Sequence, residues 1–336
     1  MIRLAIAGMG FIGQTHYAAS RKVPDASVVA VCTSRPDVAR QQSDPDVRLY
    51  QNYREMLADS RPDAVLVCVP TFLHEQYVTE ALAQGCHVLC EKPFALNART
   101  AEKIVEARDR AGVALMVAQV LRFWPQYVAI KQMVDQDKLG PVNALRAYRL
   151  APYPAWGEWF RDPTKSGGSL LDVQVHDVDF VYWLMGLPLE VQTVGLKSEC
   201  GSWDHVSTTL RYDNAIATIE ASFLMPDSWP FSCYLRVCGT QAAAEYNFRV
   251  SGNIEQRDSA TDELTLYPAG GSPSQVPVER EDMYVAQLGH FVSRVKENQC
   301  SDVVPLQQTL DVMRIMDALL ESAERGKWIT LHQSIR

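Results

Sequence analysis

Short apolar runs alternate with longer segments of helical spacing over the first 120 residues. The apolar runs are rich in β-branched side chains and occupy residues 4–7, 28–32, 64–69, 87–90 and 113–119. The segment 74–85 shows the helical spacing best, with Tyr77, Val78, Ala81 and Leu82 on one face and Gly85 at its end. Strands that are apolar on both faces and alternate with helices indicate βαβ units. We therefore predict an α/β domain with a doubly wound parallel sheet.

After about residue 120 the pattern changes to closely spaced strands. These strands are predicted at 142–150, 191–198, 205–212, 215–224, 232–238 and 242–248, with a hairpin turn at 212–215. An apolar helix at 168–185 interrupts the series, and another at 306–325 follows it. The polar stretch 252–282, which contains Gly270, Gly271 and Pro273, is expected to be a long loop. We predict an α+β domain over residues 121–336 with a mostly antiparallel, open-faced sheet, after a first domain over residues 1–120.

Composition narrows the class of protein further. The chain has 336 residues, 47% of them hydrophobic, and a formal net charge of −8, which together exclude a disordered chain. The acidic balance argues against nucleic-acid and anionic-membrane partners. No apolar run approaches the ~18 residues of a membrane span, and the first strand is too short to be a signal peptide. Eight cysteines without a C-x-x-C pair predict free thiols in a cytoplasmic protein and no metal site.

A G-x-G-x-x-G motif at residues 8–13 directly follows the first predicted strand and opens a helix. Gly8 permits the tight turn, Gly10 lets backbone approach a pyrophosphate, and Gly13 lets helix and strand pack closely. The helix N-terminus, which includes Phe11 and Ile12, would direct its N–H groups at the phosphates. The motif in this context predicts a Rossmann dinucleotide-binding domain, with a tight turn that binds no ligand as the alternative.

The residues at the end of the second predicted strand help to distinguish NAD from NADP as the cofactor. A site for NAD places a carboxylate here for the ribose 2′-hydroxyl, whereas this sequence has Ser34 and Arg35, and its first carboxylate is Asp37. A hydroxyl and a guanidinium suit a 2′-phosphate, so the sequence favours NADP slightly over NAD. In the alternative interpretation, Ser34 caps the next helix and Arg35 is a solvated side chain.

Two further strand ends carry polar side chains. Glu91-Lys92-Pro93 ends the fourth predicted strand, at the edge where open α/β sheets bind ligands. A surface ion pair that closes a strand is the alternative interpretation. The preceding strand ends in Pro70 and Thr71, and His74 follows in the first turn of a helix. We expect these three residues to line the cofactor site, although His74 could equally be a surface histidine.

The segment 167–184 combines an apolar surface with a stripe of polar side chains. Ser169, Asp172, His176 and Asp179 are spaced by 3, 4 and 3 residues, which places them along one side of a helix. Because much of the remaining surface is apolar, the helix is predicted to be buried, and its polar groups need partners or a cavity. We interpret the stripe as an acid/base site, with a buried hydrogen-bond network as the alternative.

Three motifs follow one another along the chain: the glycine-rich motif at 8–13, Glu91-Lys92-Pro93, and the polar stripe in the segment 167–179. With these motifs in this order, the chain resembles the Gfo/Idh/MocA oxidoreductases over nearly its whole length. Residues 119–125 and Trp159-Phe160-Arg161 also match the family pattern. The resemblance implies that Lys92, Asp172 and His176 are the catalytic residues. The sequence departs from the family at Ser169 and Val175, where many members have glycine, and these side chains would narrow the pocket.

The resemblance also implies a set of contacts with small molecules. The cofactor contacts expected from the motifs and the resemblance are Gly8, Gly10, Phe11, Ile12, Gly13, Ser34, Arg35, Pro70, Thr71, His74, Glu91, Lys92, Gln119 and Arg161. The expected substrate contacts are Lys92, Arg122, Trp159, Asp172 and His176.

The expected activity is hydride transfer between NAD(P) and a carbinol carbon of a sugar, a cyclitol or a sugar derivative. His176 would accept the hydroxyl proton while Lys92 stabilises charge on the oxygen, or Lys92 would carry the proton and pass it to Asp172. The alternatives from other classes are an NAD-dependent glycosidase that uses transient oxidation and a non-catalytic, cofactor-sensing regulator. A homodimer or homotetramer that forms through the open sheet face is also expected.

Overall fold

The computed structural model describes residues 1–250 and 261–331, and the chain divides into two compact units. Unit 1 comprises residues 1–123 and 281–313, and unit 2 comprises residues 124–250, 261–280 and 314–331. The sequence-based boundary near residue 120 placed the whole remainder in the second domain, whereas the structure returns residues 281–313 to unit 1. Among the helices of the described ranges, none has both the length and the apolarity needed to cross a membrane.

A six-stranded parallel sheet forms the centre of unit 1. Side chains of its inner strands are buried on both faces, as the consecutive and fully buried residues Val65 and Leu66 show. The predicted doubly wound sheet is confirmed. The third strand lies outside the sequence-based prediction, because its sequence Arg48-Leu49-Tyr50 is short and is not an apolar run. In spatial order the strands are β3 (Arg48–Tyr50), β2 (Ala26–Cys32), β1 (Ile2–Ala7), β4 (Ala64–Val67), β5 (His87–Cys90) and β6 (Leu115–Val117).

Helices cross between these strands and bring the carboxyl ends of the strands to one edge of the sheet. The Asn97 side chain caps α5 (Ala98–Ala111) by accepting from the Thr100 N–H at 2.9 Å, and Gly112 in the left-handed conformation ends this helix. The helix predicted for 74–85 is confirmed as α4 (His74–Ala83), with Gly85 just beyond its end. The helices are α1 (Phe11–Ser20), α2 (Pro36–Gln42), α3 (Tyr53–Ser60), α4 (His74–Ala83) and α5 (Ala98–Ala111).

A nine-stranded mixed sheet forms the centre of unit 2, which confirms the predicted mostly antiparallel sheet. Its neighbouring strands are antiparallel except β7 (Val142–Leu150) and β10 (Ile216–Ser222), which run parallel. The predicted hairpin turn is confirmed by the Tyr212 N–H, which donates to the Ala215 carbonyl at 2.9 Å. In spatial order the strands are β14 (Ser274–Gln275), β13 (Thr261–Pro268), β12 (Ala242–Val250), β11 (Phe231–Gly239), β7 (Val142–Leu150), β10 (Ile216–Ser222), β9 (Trp203–Arg211), β8 (Glu190–Lys197) and β15 (Ile329–Thr330).

The loop predicted for residues 252–282 is wrong in part. Strands β13 and β14 extend the sheet beyond β12, with Leu264 of β13 opposite Tyr246. Only one side of β13 needs apolar residues at this end of the sheet, so its polar composition concealed a strand. Residues 252–260 of that prediction lie outside the described residues.

The continuous helix predicted for 168–185 is also wrong, because two helices meet at Val173. The His176 N–H donates to the Val173 carbonyl three residues back at 3.4 Å, so the turn between the helices is tightened. Helix α6 (Pro125–Asp135) precedes the first strand of this sheet, whereas α7 (Pro163–Ser166), α8 (Gly168–Asp172) and α9 (Gln174–Met185) lie between β7 and β8. Helix α10 (Met283–Lys296) packs on α1 in unit 1, and the division between the units falls within α11 (Leu306–Arg325).

Candidate active site

The glycine-rich turn joins β1 to α1 in the close packing that the motif requires. Gly8 has φ of +97°, and a Cβ on it would lie 2.6 Å from the Cys68 carbonyl oxygen. A Cβ on Gly13 would lie 2.0 Å from the Gly8 carbonyl oxygen. A Cβ on Gly10, by contrast, would meet no atom of the described residues within 4 Å. Two of the glycines are therefore required by packing, and the third stands beside open space.

The start of α1 has the properties of an anion-binding helix end. Gly10 is its N-cap and has no side chain to occupy the first N–H groups, which lack acceptors within a helix. Phe11 and Ile12 are half-buried in the first turn. The open space at Gly10 and the uncapped helix end fit the pyrophosphate of a dinucleotide.

Ser34 and Arg35 are exposed directly after β2. Arg35 is the N-cap residue of α2, and its N–H donates to Thr33 Oγ1 at 3.2 Å. Ser34 therefore does not cap this helix, so that part of the alternative interpretation is wrong. Asp37 lies exposed in the first turn of α2. A hydroxyl and a guanidinium thus stand accessible at the carboxyl end of the second strand.

The Glu91 carboxylate ties the turn at Lys92 to the helix that begins at the glycine-rich turn. Glu91 is buried, and its Oε1 lies 2.7 Å from His16 Nε2 on α1. Its Oε2 accepts the Lys92 N–H at 3.1 Å. Lys92 is half-buried at the carboxyl end of β5. Because both oxygens of Glu91 are engaged within unit 1, this carboxylate holds its own turn in place.

His74 joins two strand ends in the interior of unit 1. Its Nδ1 lies 2.9 Å from the Pro93 carbonyl oxygen and its Nε2 lies 2.9 Å from the Val69 carbonyl oxygen. Burial lowers the pKa of His74, and a neutral ring donates to only one of the two oxygens at a time. Pro70 is half-buried and Thr71 is buried at the start of the intervening 3₁₀ turn. The imidazole therefore connects the turn at Lys92 to the end of β4.

Gln119 and Arg122 lie in the interior of the same unit, each 2% exposed. Arg122 Nη1 donates to the Val303 carbonyl oxygen at 2.9 Å and to the side-chain oxygen of Gln308. The guanidinium expected to contact substrate is thus directed at the 303–308 segment of its own unit. Sequence reasoning had no signal for these partners, because they lie some 180 residues further along the chain.

In unit 2, the helix that carries Asp172 begins against β9. Asp204 Oδ1 accepts the Ser169 N–H at 3.0 Å, and Ser169 Oγ donates to the Trp203 carbonyl oxygen at 3.2 Å. A Cβ on Gly168, which has φ of +70°, would lie 2.9 Å from both of these acceptor oxygens. Sequence reasoning missed Asp204, whose carboxylate is fully buried and fixes the start of α8.

Three members of the polar stripe are buried and the fourth is half-buried. Ser169 and Asp179 are 0% exposed, Asp172 is 8% exposed, and His176 is half-buried. The hydrogen bonds of Ser169 show that the hydrogen-bond network, the alternative interpretation, describes one end of the stripe. His176 in α9 is the most exposed member of the stripe, and Asp172 at the end of α8 comes next.

Trp159 and Arg161 belong to an aromatic cluster in unit 2. The Arg161 guanidinium carbon lies 4.3 Å from the centre of the Tyr153 ring, and Trp159 stacks on Phe160 with centroids 4.0 Å apart. The Tyr153 hydroxyl in turn donates to Asp204. Hydrogen bonds therefore connect this cluster to the start of α8.

The fold and the residues described above define a dinucleotide-binding oxidoreductase with a second, α+β domain. Residues 2–119 match the family model described as the oxidoreductase family with an NAD-binding Rossmann fold, and residues 127–245 match the GFO/IDH/MocA C-terminal domain. The chain belongs to the Gfo/Idh/MocA oxidoreductase family, as the sequence resemblance predicts.

Relatives in this family include named sugar dehydrogenases. The chain is 31% identical to D-xylose 1-dehydrogenase (NADP(+)) 2 of Haloferax volcanii over 84% of each chain. It is 24% identical to D-glucoside 3-dehydrogenase of Escherichia coli, over 98% of this chain and 97% of that one. Levoglucosan dehydrogenase, solved in complex with NADH and levoglucosan, has the same fold, with a TM-score of 0.85 at 19% identity and coverage of 99% and 100%.

Proposed function

We propose that the chain is an NAD(P)-dependent dehydrogenase that transfers a hydride to or from a carbinol carbon of a sugar, a cyclitol or a sugar derivative. The observation that carries the proposal lies in unit 1, where Glu91 connects the turn at Lys92 to the helix of the glycine-rich turn. This connection fixes the backbone of Lys92 at the carboxyl end of β5, the edge at which such sheets bind cofactors and substrates, and so supports a role for its side chain there. The relatives that are named for xylose and glucosides support the substrate class.

Three side chains perform the proton chemistry in this proposal. When bound, the nicotinamide accepts or returns the hydride. His176 accepts the proton of the reacting hydroxyl as general base, and Lys92 donates a hydrogen bond to the oxygen as negative charge develops on it. Asp172 accepts a hydrogen bond from a neighbouring hydroxyl, which orients the sugar. In the alternative assignment, Lys92 carries the proton, and the variants described in the Discussion separate the two.

The exposed Ser34 and Arg35 lead us to propose NADP as the preferred cofactor. A guanidinium and a hydroxyl can hold the 2′-phosphate, whereas the nearest carboxylate, Asp37, lies in the first turn of α2. We expect Arg35→Gln to weaken NADPH binding about tenfold and to leave NADH binding unchanged. Arg21→Gln, at the far end of α1, is the matched control because it removes an exposed arginine away from the glycine-rich turn. Equal effects of Arg35→Gln on both cofactors would contradict the assignment.

The activity itself is tested by a screen of sugars and inositols with NAD⁺ and NADP⁺ separately. The absorbance of the reduced nicotinamide is expected to rise with at least one polyol in the wild type and not in Lys92→Met. Cleavage of a glycoside without net formation of reduced cofactor would indicate the glycosidase instead. Cofactor binding without turnover of any polyol or glycoside would indicate the regulator.

We also propose self-association through the face of the unit 2 sheet that its helices leave uncovered. Val194 and Leu196 of β8 and Ile216 of β10 are on this face and are 59%, 63% and 45% exposed. Exposed apolar side chains on a sheet face are typical of a surface that buries against a second copy. Light scattering is expected to give a dimer or tetramer, and a monomer would contradict the proposal.

A further inference from the structure

His16 and Glu91 form a buried imidazole–carboxylate pair. The proton transfer proposed above assigns no role to either side chain. The two side chains are 1% and 8% exposed, and His16 Nε2 lies 2.7 Å from Glu91 Oε1. His16 is in the second turn of α1 and Glu91 follows β5, so the contact spans 75 residues of sequence. Buried carboxylates are costly unless donors compensate them, so this contact has a structural or functional reason.

The direction of this hydrogen bond follows from the chemistry of its partners. An ionised carboxylate only accepts, so the proton between the two atoms belongs to His16 Nε2. The other carboxylate oxygen accepts the Lys92 N–H at 3.1 Å. One carboxylate therefore transmits the position of α1 to the backbone of Lys92.

The His16 ring is itself held from the other side. The Tyr284 ring of α10 packs against it edge to face, with centroids 5.8 Å apart and planes at 83°. On the far side of Lys92, the carbonyl of Pro93 lies 2.9 Å from the His74 ring. The backbone of Lys92 is thus anchored on both sides, through His16 before it and His74 after it.

We propose that His16 is a positioning residue for Lys92, acting through Glu91. This inference rests on the proposed function insofar as Lys92 contacts the reacting oxygen. A charge-assisted hydrogen bond fixes Glu91, and a misplacement of ~1 Å at a reacting group costs about 10²-fold in rate. His16 needs no contact with substrate or cofactor for this role.

Two amide substitutions of His16, each of which mimics one ring nitrogen of histidine, test the proposal. The amide nitrogen of glutamine can occupy the place of Nε2, whereas that of asparagine reaches only the place of Nδ1. We expect His16→Asn to lower kcat about 10- to 100-fold without a change in NADPH affinity, and His16→Gln to restore most of the rate. Equal kcat values for the two variants would overturn the proposal.

Tyr17→Phe is the matched control on the same helix. Tyr17 is also buried, and its hydroxyl donates to the Asp44 carboxylate at 2.9 Å and accepts the Asp44 N–H at 2.8 Å, so both of these hydrogen bonds go to Asp44 and neither goes to Glu91. The control loses these two side-chain hydrogen bonds of α1 and is expected to keep the wild-type kcat. A loss of rate equal to that of His16→Asn would reduce the effect to general loosening of α1 and overturn the proposal.

A second readout does not depend on the enzymatic activity. Lysines are methylated with ¹³C-formaldehyde, and the Lys92 signal is identified by its absence from Lys92→Arg. We expect its NMR titration midpoint to move in His16→Asn but not in His16→Gln or Tyr17→Phe. A moved midpoint with no turnover of any polyol would refute the proposed function alone, whereas equal midpoints in all variants would refute the positioning role alone.

A double variant covers the case in which His16→Asn fails to fold because Glu91 is left charged and buried. Glu91→Gln removes that charge and keeps the acceptor for the Lys92 N–H. The comparison is then Glu91→Gln alone against His16→Asn with Glu91→Gln. A lower kcat and a moved Lys92 midpoint in the double variant support the proposal, and equal values contradict it.

Discussion

Arg149 and Asp177 form a buried ion pair with two hydrogen bonds inside unit 2. Nε and Nη2 of Arg149 each lie 3.0 Å from one carboxylate oxygen, and the two side chains are 5% and 2% exposed. Arg149 is on β7 and Asp177 is on α9, directly after His176. Arg149 Nη1 also contacts Cys233 Sγ at 2.9 Å. The pair therefore fixes the rotation of α9 against the sheet, and with it the direction of the neighbouring imidazole.

Removal of one member of this pair is expected to destabilise the protein strongly. Arg149→Met leaves the Asp177 carboxylate buried and uncompensated, which costs about 3–5 kcal/mol in the free energy of unfolding. The double variant Arg149→Met with Asp177→Leu replaces both charges by apolar groups and is expected to recover most of that loss. Chemical denaturation of the two variants and the wild type measures the effect.

An exposed ion pair provides the control for this prediction. Arg48 Nη1 lies 2.8 Å from Asp59 Oδ2, but the two side chains are 46% and 61% exposed. Arg48→Met is expected to cost less than about 1 kcal/mol, because water solvates both charges. Equal losses from the buried and the exposed pair would contradict the claim that burial decides the effect.

The three glycines of the turn are expected to differ in what they support. Gly13→Ala would place a Cβ 2.0 Å from the Gly8 carbonyl oxygen, so α1 must shift and stability falls by about 1–3 kcal/mol or more. Gly10→Ala meets open space and is expected to fold normally, but its methyl group occupies the approach to the pyrophosphate. Thermal unfolding and NADPH titration separate the two effects. Normal NADPH affinity in Gly10→Ala would refute a pyrophosphate site beside Gly10.

The parallel sheet could be predicted from sequence because its signal is local. Apolar runs such as 64–69 and the glycine spacing at 8–13 each report on a few neighbouring residues. The same logic failed at Val173, where one tightened turn interrupts a continuous apolar pattern. It failed again at β13, whose polar residues conceal a strand at one end of the sheet. Residues 281–313 belong to unit 1 because α10 packs against α1, and no local sequence pattern encodes that contact.

The candidate site shows the same limit at the level of single side chains. Residue type and spacing single out Lys92 and His176 as candidates, but the partners that orient their neighbours are remote in sequence. Glu91 is held by His16, 75 residues away, and Asp177 by Arg149, 28 residues away. Arg122 is a charged residue in a family pattern, yet its guanidinium donates a hydrogen bond to the 303–308 segment. Sequence therefore indicates which chemical groups are present, and tertiary packing decides which of them are directed inward.

The stability of unit 1 is expected to fall as the pH drops below neutrality, in part through His87. His87 Nδ1 accepts the Ala114 N–H at 3.0 Å, and burial lowers the pKa of His87 below its ordinary value of 6.5. Since the unfolded chain then binds more protons, this contribution is complete above pH 6.5 and is lost as the pH falls through the folded-state pKa.

His87→Asn tests this prediction because the asparagine oxygen can accept the same N–H and does not titrate. The denaturation midpoint is expected to fall less in this variant than in the wild type between about pH 7.5 and about pH 5.5. Identical slopes in the variant and the wild type would exclude His87 as a contributor.

Substitution of His176 decides which side chain takes the proton. A positioned general base contributes about 10²–10⁴ in rate, so His176→Ala is expected to lower kcat by that order. NADPH affinity should be nearly unchanged, because in the proposed reaction His176 contacts the reacting hydroxyl of the substrate and not the cofactor. Steady-state kinetics and NADPH titration provide both numbers, with His205→Asn as the control in the same unit. Wild-type turnover in His176→Ala would remove the imidazole from the mechanism and assign the proton to Lys92.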